Sequence, residues 1–246
     1  MTEIVTPPVD GPIIPGTDIT YDFPDLAGRL QLRKIRWQTA GGRGKTFRMW
    51  SRRLLTDIEQ DDLRRTYRKA SEFNVQLKYA QRWQPTHRHC PNAHELLYGL
   101  PDAMQAMDDG VQTIYWCEGE KDVNSLRAAD EIAVSHWQGA ANATPEQAEY
   151  LVKFAGTLVL VADADPPGAA DVLRRWGLLV KAGIPEGRIR LVRPPGGWST
   201  GKDVSDHLEA GLTVDRLVEI KIYDKQFRAA AKQFEEERGK HGGYAY

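Results

Sequence analysis

The chain has 246 residues, of which 41% are hydrophobic and 27% charged, and its formal net charge is −1. This length allows one large domain or two small ones, with a core that needs no disulfide or metal to fold. No apolar stretch approaches the roughly 20 residues that span a bilayer, no signal-peptide pattern opens the chain, and 2 cysteines cannot form a disulfide framework. Secreted, membrane and disulfide-rich classes are therefore excluded, and a reducing cytoplasmic location is expected.

The near-zero net charge hides a strong asymmetry along the chain. Residues 1–25 carry 5 acids and no bases, residues 26–100 carry 16 basic and 6 acidic side chains, and residues 101–246 carry 17 basic and 23 acidic ones. A basic segment followed by an acidic one indicates a surface that binds a polyanion, joined to a carboxylate-rich site. A solvated basic face with no special function would have the same composition.

The first hundred residues predict a tail and a small α+β domain. Residues 1–20 contain four prolines and no apolar periodicity, which is typical of an extended tail. Short runs that alternate apolar and basic residues, separated by glycines, predict β-hairpins over residues 19–50. A near-helical apolar spacing predicts one helix over residues 57–73, and residues 74–95 show no regular pattern.

From residue 97 onward, predicted strands and helices alternate. Strands are expected at 113–117, 133–137, 157–162 and 188–192, and helices at 120–129, 145–153 and 168–182. This alternation is typical of right-handed βαβ units with a mainly parallel sheet. The run 157–162 is the most continuously apolar, which predicts a central strand buried on both faces. The chain from 214 is expected to be largely helical, with weak amphipathicity over 226–238 and a frayed end over 239–246.

Acidic side chains follow three of the predicted strands, and they are Glu118 and Asp122, Asp163 and Asp165, and Asp203 and Asp206. Because ligands of open parallel sheets bind at the carboxyl ends of the strands, these loops direct carboxylates to one edge. Clustered carboxylates raise one another's pKa unless a cation compensates. Such oxygen-rich sites suit Mg²⁺ or Mn²⁺, which promote phosphoryl or nucleotidyl transfer. Any single acid also has an ordinary explanation as a helix cap, Asp122 above all.

Three segments resemble the signatures of one known domain family. Residues 118–122 read EGEKD, residues 163–168 read DADPPG, and residues 201–203 read GKD. Their order, spacing and strand context resemble the TOPRIM domain of primases and topoisomerases, most closely that of primases of phage and mobile-element type. The resemblance covers about residues 96–212, and segments between residues 21 and 101 are more loosely similar to the part that precedes TOPRIM in those primases.

The resemblance implies a primase catalytic core without the zinc-binding module and the helicase half of such primases. Its parts would be an extended tail at 1–20, a basic primase-type domain at 21–100, a TOPRIM catalytic domain at 101–212 and a helical C-terminal segment at 213–246. The implied activity is the metal-dependent synthesis of short RNA primers from nucleoside triphosphates on a single-stranded DNA template. A separate helicase or zinc-module protein would serve initiation, and no membrane would be involved.

The resemblance also implies roles for the matched residues. A divalent ion, Mg²⁺ or Mn²⁺, would be held by four acids with two more in support, namely Glu118, Asp163, Asp165 and Asp203, and then Asp122 and Asp206. Glu118 would also be the acid/base residue of nucleotidyl transfer. Lys121 and Lys202 would neutralise the triphosphate or the transition state, and ordinary surface charge explains these two lysines equally well.

The basic N-terminal segment would hold the template strand. Its candidate phosphate contacts are Lys34, Arg36, Arg43, Lys45, Arg48, Arg52 and Arg53. Aromatic residues interleave with them, and stacking of a base on an aromatic ring contributes about 1–3 kcal/mol without sequence preference. For Trp37 and Phe47 core packing is the expected role, because they alternate with the basic positions.

Two other motifs are not taken as sites. Residues 39–46 end in Gly-Lys-Thr like a phosphate-binding loop, but Thr39 stands where the leading glycine belongs and no strand and helix flank the motif. His87, His89, Cys90 and His94 have zinc-ligating side chains in a spacing that fits no standard finger or ribbon, so no zinc is expected.

Two further functions stay open. A TOPRIM nuclease acting on DNA or RNA would use the same acids with water as the nucleophile, although the upstream basic segment favours the primase. A non-catalytic module that binds single-stranded DNA or a helicase would need none of these acids. Extended products, a shortened template and simple retention of DNA would separate the three functions.

Overall fold

The computed structural model describes residues 18–38, 45–52, 56–80, 83–84 and 86–240. These residues form two compact units that divide between Ala93 and His94. The first unit has an antiparallel sheet, and the second has a mainly parallel sheet flanked by helices, so the predicted fold class is confirmed. No helix in the described ranges is long and apolar enough to cross a membrane. The domain limits given above remain predictions.

The described part of the first unit contains four strands and two helices. The strands lie in chain order in the sheet and are β1 (Ile19–Pro24), β2 (Leu30–Gln38), β3 (Lys45–Arg52) and β4 (Trp83–Gln84). The helices are α1 (Asp57–Thr66) and α2 (Ala70–Ala80). The single helix predicted over 57–73 is therefore wrong: Tyr67 leaves the helical conformation with φ −111° and ψ 87°, which ends α1. The second helix then continues into a stretch that was expected to be irregular.

Residues 94–240 form six strands and six α-helices. The strands are β5 (Leu97–Tyr98), β6 (Thr113–Cys117), β7 (Ala133–His136), β8 (Thr157–Val161), β9 (Ile189–Arg193) and β10 (Val218–Glu219). The helices are α3 (Leu100–Asp108), α4 (Glu120–Ala128), α5 (Pro145–Val152), α6 (Pro166–Lys181), α7 (Val204–Glu209) and α8 (Lys225–Lys240). The four strands and three helices predicted between residues 113 and 192 agree with these bounds to within two residues.

The sheet of the second unit has the strand order β10-β9-β8-β6-β7-β5. The four inner strands are parallel, and the two edge strands pair antiparallel with their neighbours. Alternate side chains of β6 and β8 enter two different apolar clusters, one with helices α5, α6 and α8 and the other with α4 and α7. The strand β8 is thus central and buried on both faces, as its apolar run predicts.

The last helix, α8, packs along α6. Its inner side buries Phe227, Ala230 and Ala231, and the Asp224 side chain accepts a hydrogen bond from the Phe227 N–H at 2.8 Å, which caps the first turn. The amphipathicity that looked weak in the sequence is therefore sufficient, because small side chains let the two helices approach closely. Residues 1–17 of the predicted tail and residues 241–246 lie outside the described part of the chain.

Candidate active site

Three loops place the predicted acids at the carboxyl edge of the parallel strands. Glu118 follows β6 directly, Asp163 lies two residues after β8, and Asp203 lies in the loop beyond β9. These three strands are neighbours in the sheet. The last two loops also touch, since the Ala164 N–H donates to the Lys202 carbonyl at 2.9 Å. We call the six acids of these loops and of the helix starts that follow them the carboxylate rim: Glu118, Asp122, Asp163, Asp165, Asp203 and Asp206.

Glu118 has an unsatisfied carboxylate in the rim. Its Oε2 is buried and has no hydrogen-bond partner among the described residues. Burial raises the pKa of Glu118 well above its usual range, and the negative charges of Asp171 and Asp163 raise it further, against the effect of the Arg175 guanidinium. A raised pKa makes the ionised carboxylate a stronger base, which is a property that an acid/base residue uses.

Asp163 is packed against the start of helix α6. A Cβ atom on Gly168 would lie 2.5 Å from the Asp163 carbonyl oxygen, so this glycine is required by the close approach of two backbones. Asp165 caps the same helix, because its side chain accepts the Gly168 N–H at 2.8 Å. Burial raises the pKa of Asp163 well above its usual range, and Asp122, Asp165 and Asp203 raise it further. The acids are thus close enough to repel one another.

Asp122 is buried and joins two helices. Its Oδ1 accepts hydrogen bonds from the Ser205 N–H at 3.2 Å and the Ser205 hydroxyl at 2.7 Å, and the Ser125 hydroxyl donates to that of Ser205 at 2.9 Å. Burial and then the charge of Asp203 raise the pKa of Asp122 to about 6, although the Ser205 hydrogen bonds lower it. Asp122 therefore ties α4 to α7 as well as adding charge to the rim.

Lys121 faces the third acidic loop. Its Nζ lies 3.7 Å from Asp203 Oδ2, 3.8 Å from Asp206 Oδ1 and 3.4 Å from Glu209 Oε1. Asp203 and Asp206 also form a capping box at the start of α7, in which each side chain accepts the other's backbone N–H. Burial lowers the pKa of Lys121, but these acids, Asp203 first, raise it above its ordinary value. Lys202, the second predicted lysine, is exposed.

The rim fits a hard divalent cation by the chemistry of its donors. All of its donor side chains are carboxylates, which Mg²⁺ and Mn²⁺ prefer, and one of their oxygens, Glu118 Oε2, is buried without a partner. Like charges raise the pKa of both Asp163 and Asp122, and a bound cation would relieve this effect. In the described part of the chain, no three His, Cys, Asp or Glu side chains are already gathered as a metal site.

A buried charge cluster next to the rim was not predicted. It consists of His136, Asp171 and Arg175, whose side chains have no exposed surface. Asp171 and Arg175 lie one turn apart in α6, and the sequence signals neither, because a helix with charges on several sides does not reveal which of them turn inward. We call these three residues the α6 charge cluster.

Cross-strand pairing decides which basic residues of the first unit share a face. Arg36 lies opposite Phe47, and Lys45 lies opposite Gln38, and directly opposed residues point to the same side of a sheet. Lys34, two residues before Arg36, is on this face too, and its Nζ lies 4.9 Å from the centre of the Phe47 ring. Three of the predicted phosphate contacts therefore share one face of the sheet with this aromatic ring.

The remaining predicted phosphate contacts are not shown on this face. Arg48 lies opposite Ile35, on the other face of the sheet. Arg43 and Arg53 lie outside the described residues, and Arg52 is described by its backbone alone.

The two aromatic residues predicted to lie in the core differ in their exposure. Trp37 is buried, with 5% of its surface exposed, whereas Phe47 is 47% exposed. The expected core packing of Phe47 is therefore wrong. Alternation along β3 separates Phe47 from Arg48, but pairing with β2 places it beside Arg36 and Lys34 on a basic face.

Comparison with protein-family models and with curated protein sequences gives no match. Among solved structures, the chain is similar to a DNA primase domain from Pseudomonas aeruginosa, with a TM-score of 0.51 and 16% identity over 88% of this chain and 51% of that one. It is also similar to the primase catalytic core of E. coli, with a TM-score of 0.51 and 17% identity over 88% of this chain and 52% of that one. The chain thus spans about half the length of these neighbours, and the likeness is one of fold.

Proposed function

We propose that this chain is a cytoplasmic, primase-type nucleotidyltransferase that synthesises short RNA primers on single-stranded DNA. The observation that carries the proposal is the carboxylate rim, where acids from three strand ends lie close enough together to raise the pKa of Glu118, Asp122 and Asp163. Likeness in fold to primase catalytic cores supports it, as do the three signature segments that supply the rim. The phage or mobile-element type of primase is part of the same proposal.

In this proposal each rim residue has a defined task. Asp163, Asp165 and Asp203 hold Mg²⁺ or Mn²⁺ together with Glu118, and Asp122 and Asp206 support them. When bound, the ion supplies positive charge for the phosphate oxygens. Glu118 takes the proton of the attacking 3′-hydroxyl group, for which its raised pKa is suited.

Lys121 and Lys202 complete the site by neutralising the triphosphate. Lys121 is within reach of the third acidic loop, and the exposed Lys202 is free of the core. A separate helicase or zinc-module protein would provide template selection and initiation.

The basic face of the first unit would hold the template. Lys34, Arg36 and Lys45 would contact phosphates, and the exposed Phe47 ring would stack on a base. We expect Phe47→Ala to lose about 1–3 kcal/mol of affinity for an oligothymidine strand, measured by fluorescence anisotropy. Ile58→Ala is the matched control, because Ile58 is a 75% exposed apolar residue of the same unit. Equal affinities of the two variants would contradict this role.

The test of the catalytic proposal uses the full chain with single-stranded DNA, labelled ribonucleotides and Mn²⁺ or Mg²⁺. We expect extended RNA products, and we expect Asp163→Asn to abolish them while an exposed acid of α3, Asp108→Asn, has no effect. A shortened template that depends on Asp163 would instead identify a nuclease. Retention of DNA without turnover would leave a binding module.

A further inference from the structure

The α6 charge cluster reaches the ends of the two strands that carry Glu118 and Asp163. The Arg175 guanidinium donates through Nη1 to the Trp116 carbonyl of β6 and through Nη2 to the Val161 carbonyl of β8, the latter at 2.8 Å. Each of these carbonyls lies two residues before a rim acid. One buried side chain therefore binds both strands immediately before the acids leave the sheet.

Asp171 contacts the last residue of β7 and the loop that follows it. Its Oδ1 accepts the Ala141 N–H at 2.8 Å and lies 3.2 Å from His136 Nε2, which is also 3.0 Å from the Gly139 carbonyl oxygen. Ala141 has a φ of 58°, a left-handed conformation that costs a residue with a side chain about 1 kcal/mol or more. The Asp171 hydrogen bond helps to hold this residue in place.

The two charged residues of the cluster compensate each other. Arg175 Nη2 lies 2.7 Å from Asp171 Oδ2, and burial raises the pKa of Asp171 while Arg175 and His136 lower it to about 2. Toward Glu118 their charges act in opposite directions, since Asp171 raises its pKa and Arg175 lowers it. The pair therefore adds little net charge near the rim. Its contribution is to attach the strand ends to α6.

We propose that Asp171 and Arg175 are positioning residues of the carboxylate rim: through hydrogen bonds to the ends of β6 and β8 and to the loop after β7 they fix where Glu118 and Asp163 stand. The inference rests on the proposed function in that it assigns two supporting residues to the same site. Groups that orient metal-binding residues in this way typically change metal affinity by about 10–100-fold when they are replaced.

The test measures Mn²⁺ binding to the full chain by titration with electron paramagnetic resonance detection of the free ion. The double variant Asp171→Asn, Arg175→Met removes both charges together, so no unpaired charge is left in the core and the net charge near the rim is unchanged. Leu179→Ala, at a fully buried apolar position of α6, is the control for general loosening of the helix. We expect the double variant to bind Mn²⁺ at least about tenfold more weakly than the control.

The single variant Arg175→Lys keeps the positive charge beside Asp171 but cannot donate to both strand-end carbonyls. We expect it to weaken Mn²⁺ binding to an intermediate degree, and in primer synthesis to lower kcat with little change in KM for the ribonucleotide. It also carries the test if the double variant does not fold. The single variant Arg175→Met separates charge from position: loss of a nearby positive charge would strengthen cation binding, whereas loss of the attachment weakens it.

The outcomes distinguish this inference from the proposed function. If the double variant, or Arg175→Lys where only that variant folds, binds Mn²⁺ as tightly as Leu179→Ala, the positioning role is overturned while the rim keeps its function. If the wild-type chain binds Mn²⁺ with the expected sensitivity to Arg175 but makes no primers, the primase proposal fails and the positioning role stands. If the wild-type chain binds no Mn²⁺, both are overturned.

Discussion

The carboxylate rim and the α6 charge cluster are neighbouring regions that both contain aspartates, but the pKa of Asp163 in the rim and the pKa of Asp171 in the cluster shift in opposite directions. In the cluster, Asp171 is fully buried beside Arg175 and has a pKa of about 2. In the rim, burial and like charges raise the pKa of Asp163 and Glu118 well above the usual range. The cluster contains its own cation, whereas the rim has acids in excess. This excess of acids, which the fold itself does not neutralise, supports the proposal that the rim binds a cation.

The largest expected effect comes from removing the cation of the cluster. Arg175→Met leaves the Asp171 carboxylate buried without its main partner, and we expect a loss of about 3–5 kcal/mol in the free energy of unfolding, measured by urea denaturation. The double variant with Asp171→Asn should recover much of this loss. A single variant within about 1 kcal/mol of wild type would show that the cluster does not stabilise the fold as a charge pair.

A smaller effect is expected from the pH dependence of the rim. Asp122 has a pKa of about 6 against an ordinary value of 3.8. A carboxyl whose pKa is higher in the folded state contributes stability that is fully present below the unfolded value and is lost as pH rises through the folded value. We therefore expect the free energy of unfolding of the wild type to fall by about 2 kcal/mol more than that of Asp122→Asn between pH 4 and pH 7.5 without divalent cations.

The measurement for Asp122 is urea denaturation of both proteins across that pH range. Asn at this position can still accept the Ser205 hydrogen bonds, so the attachment of α4 to α7 is kept. Asp171 does not disturb the comparison, because its stabilisation is lost only as pH falls below 3.8 toward 2. Parallel pH profiles of wild type and variant would contradict the repulsion in the rim.

A change of a few degrees is expected at Asp163. Asp163→Asn removes one of the repelling charges, and we expect its Tm without divalent cations to rise by about 2–4 °C, the shift that corresponds to roughly 1 kcal/mol in a chain of this size. Saturating Mn²⁺ should raise the Tm of the wild type and have much less effect on the variant. Differential scanning calorimetry with and without Mn²⁺ measures both, and an equal response of the two proteins would argue against a cation at Asp163.

The smallest effect is expected at Lys121, whose ion pairs are exposed to solvent. Its side chain is 37% exposed, and the Glu209 side chain is 66% exposed. Lys121→Met should cost less than about 1 kcal/mol in unfolding free energy, and high salt should reduce the difference. A loss as large as that of Arg175→Met would mean that this exposed group behaves like the buried cluster.

The position of the rim could be predicted because its acids follow strands that the sequence itself predicts. The strand Thr113–Cys117 is predicted with its observed bounds, so the position of Glu118 at a strand end follows from the order of residues alone. Asp171 and Arg175 could not be found in this way, since Arg175 donates to backbone carbonyls of β6 and β8 and Asp171 accepts the backbone N–H of Ala141. The prediction for Phe47 was wrong because alternation shows which residues share a face of a strand, but it does not show which of the two faces packs against the core. The partners of Lys121 depend on how α7 approaches α4, which no local pattern encodes.

The contact between Gly168 and Asp163 has a consequence for how such sites can be built elsewhere. A Cβ atom added to Gly168, in the first turn of α6, would lie only 2.5 Å from the Asp163 carbonyl oxygen. The glycine five residues after Asp163 is thus required by steric exclusion. Only the acids themselves are required by the chemistry of the site. A designer who transplants this acid pair onto another strand-to-helix connection must transplant the glycine as well, or the added side chain will push the first acid out of register.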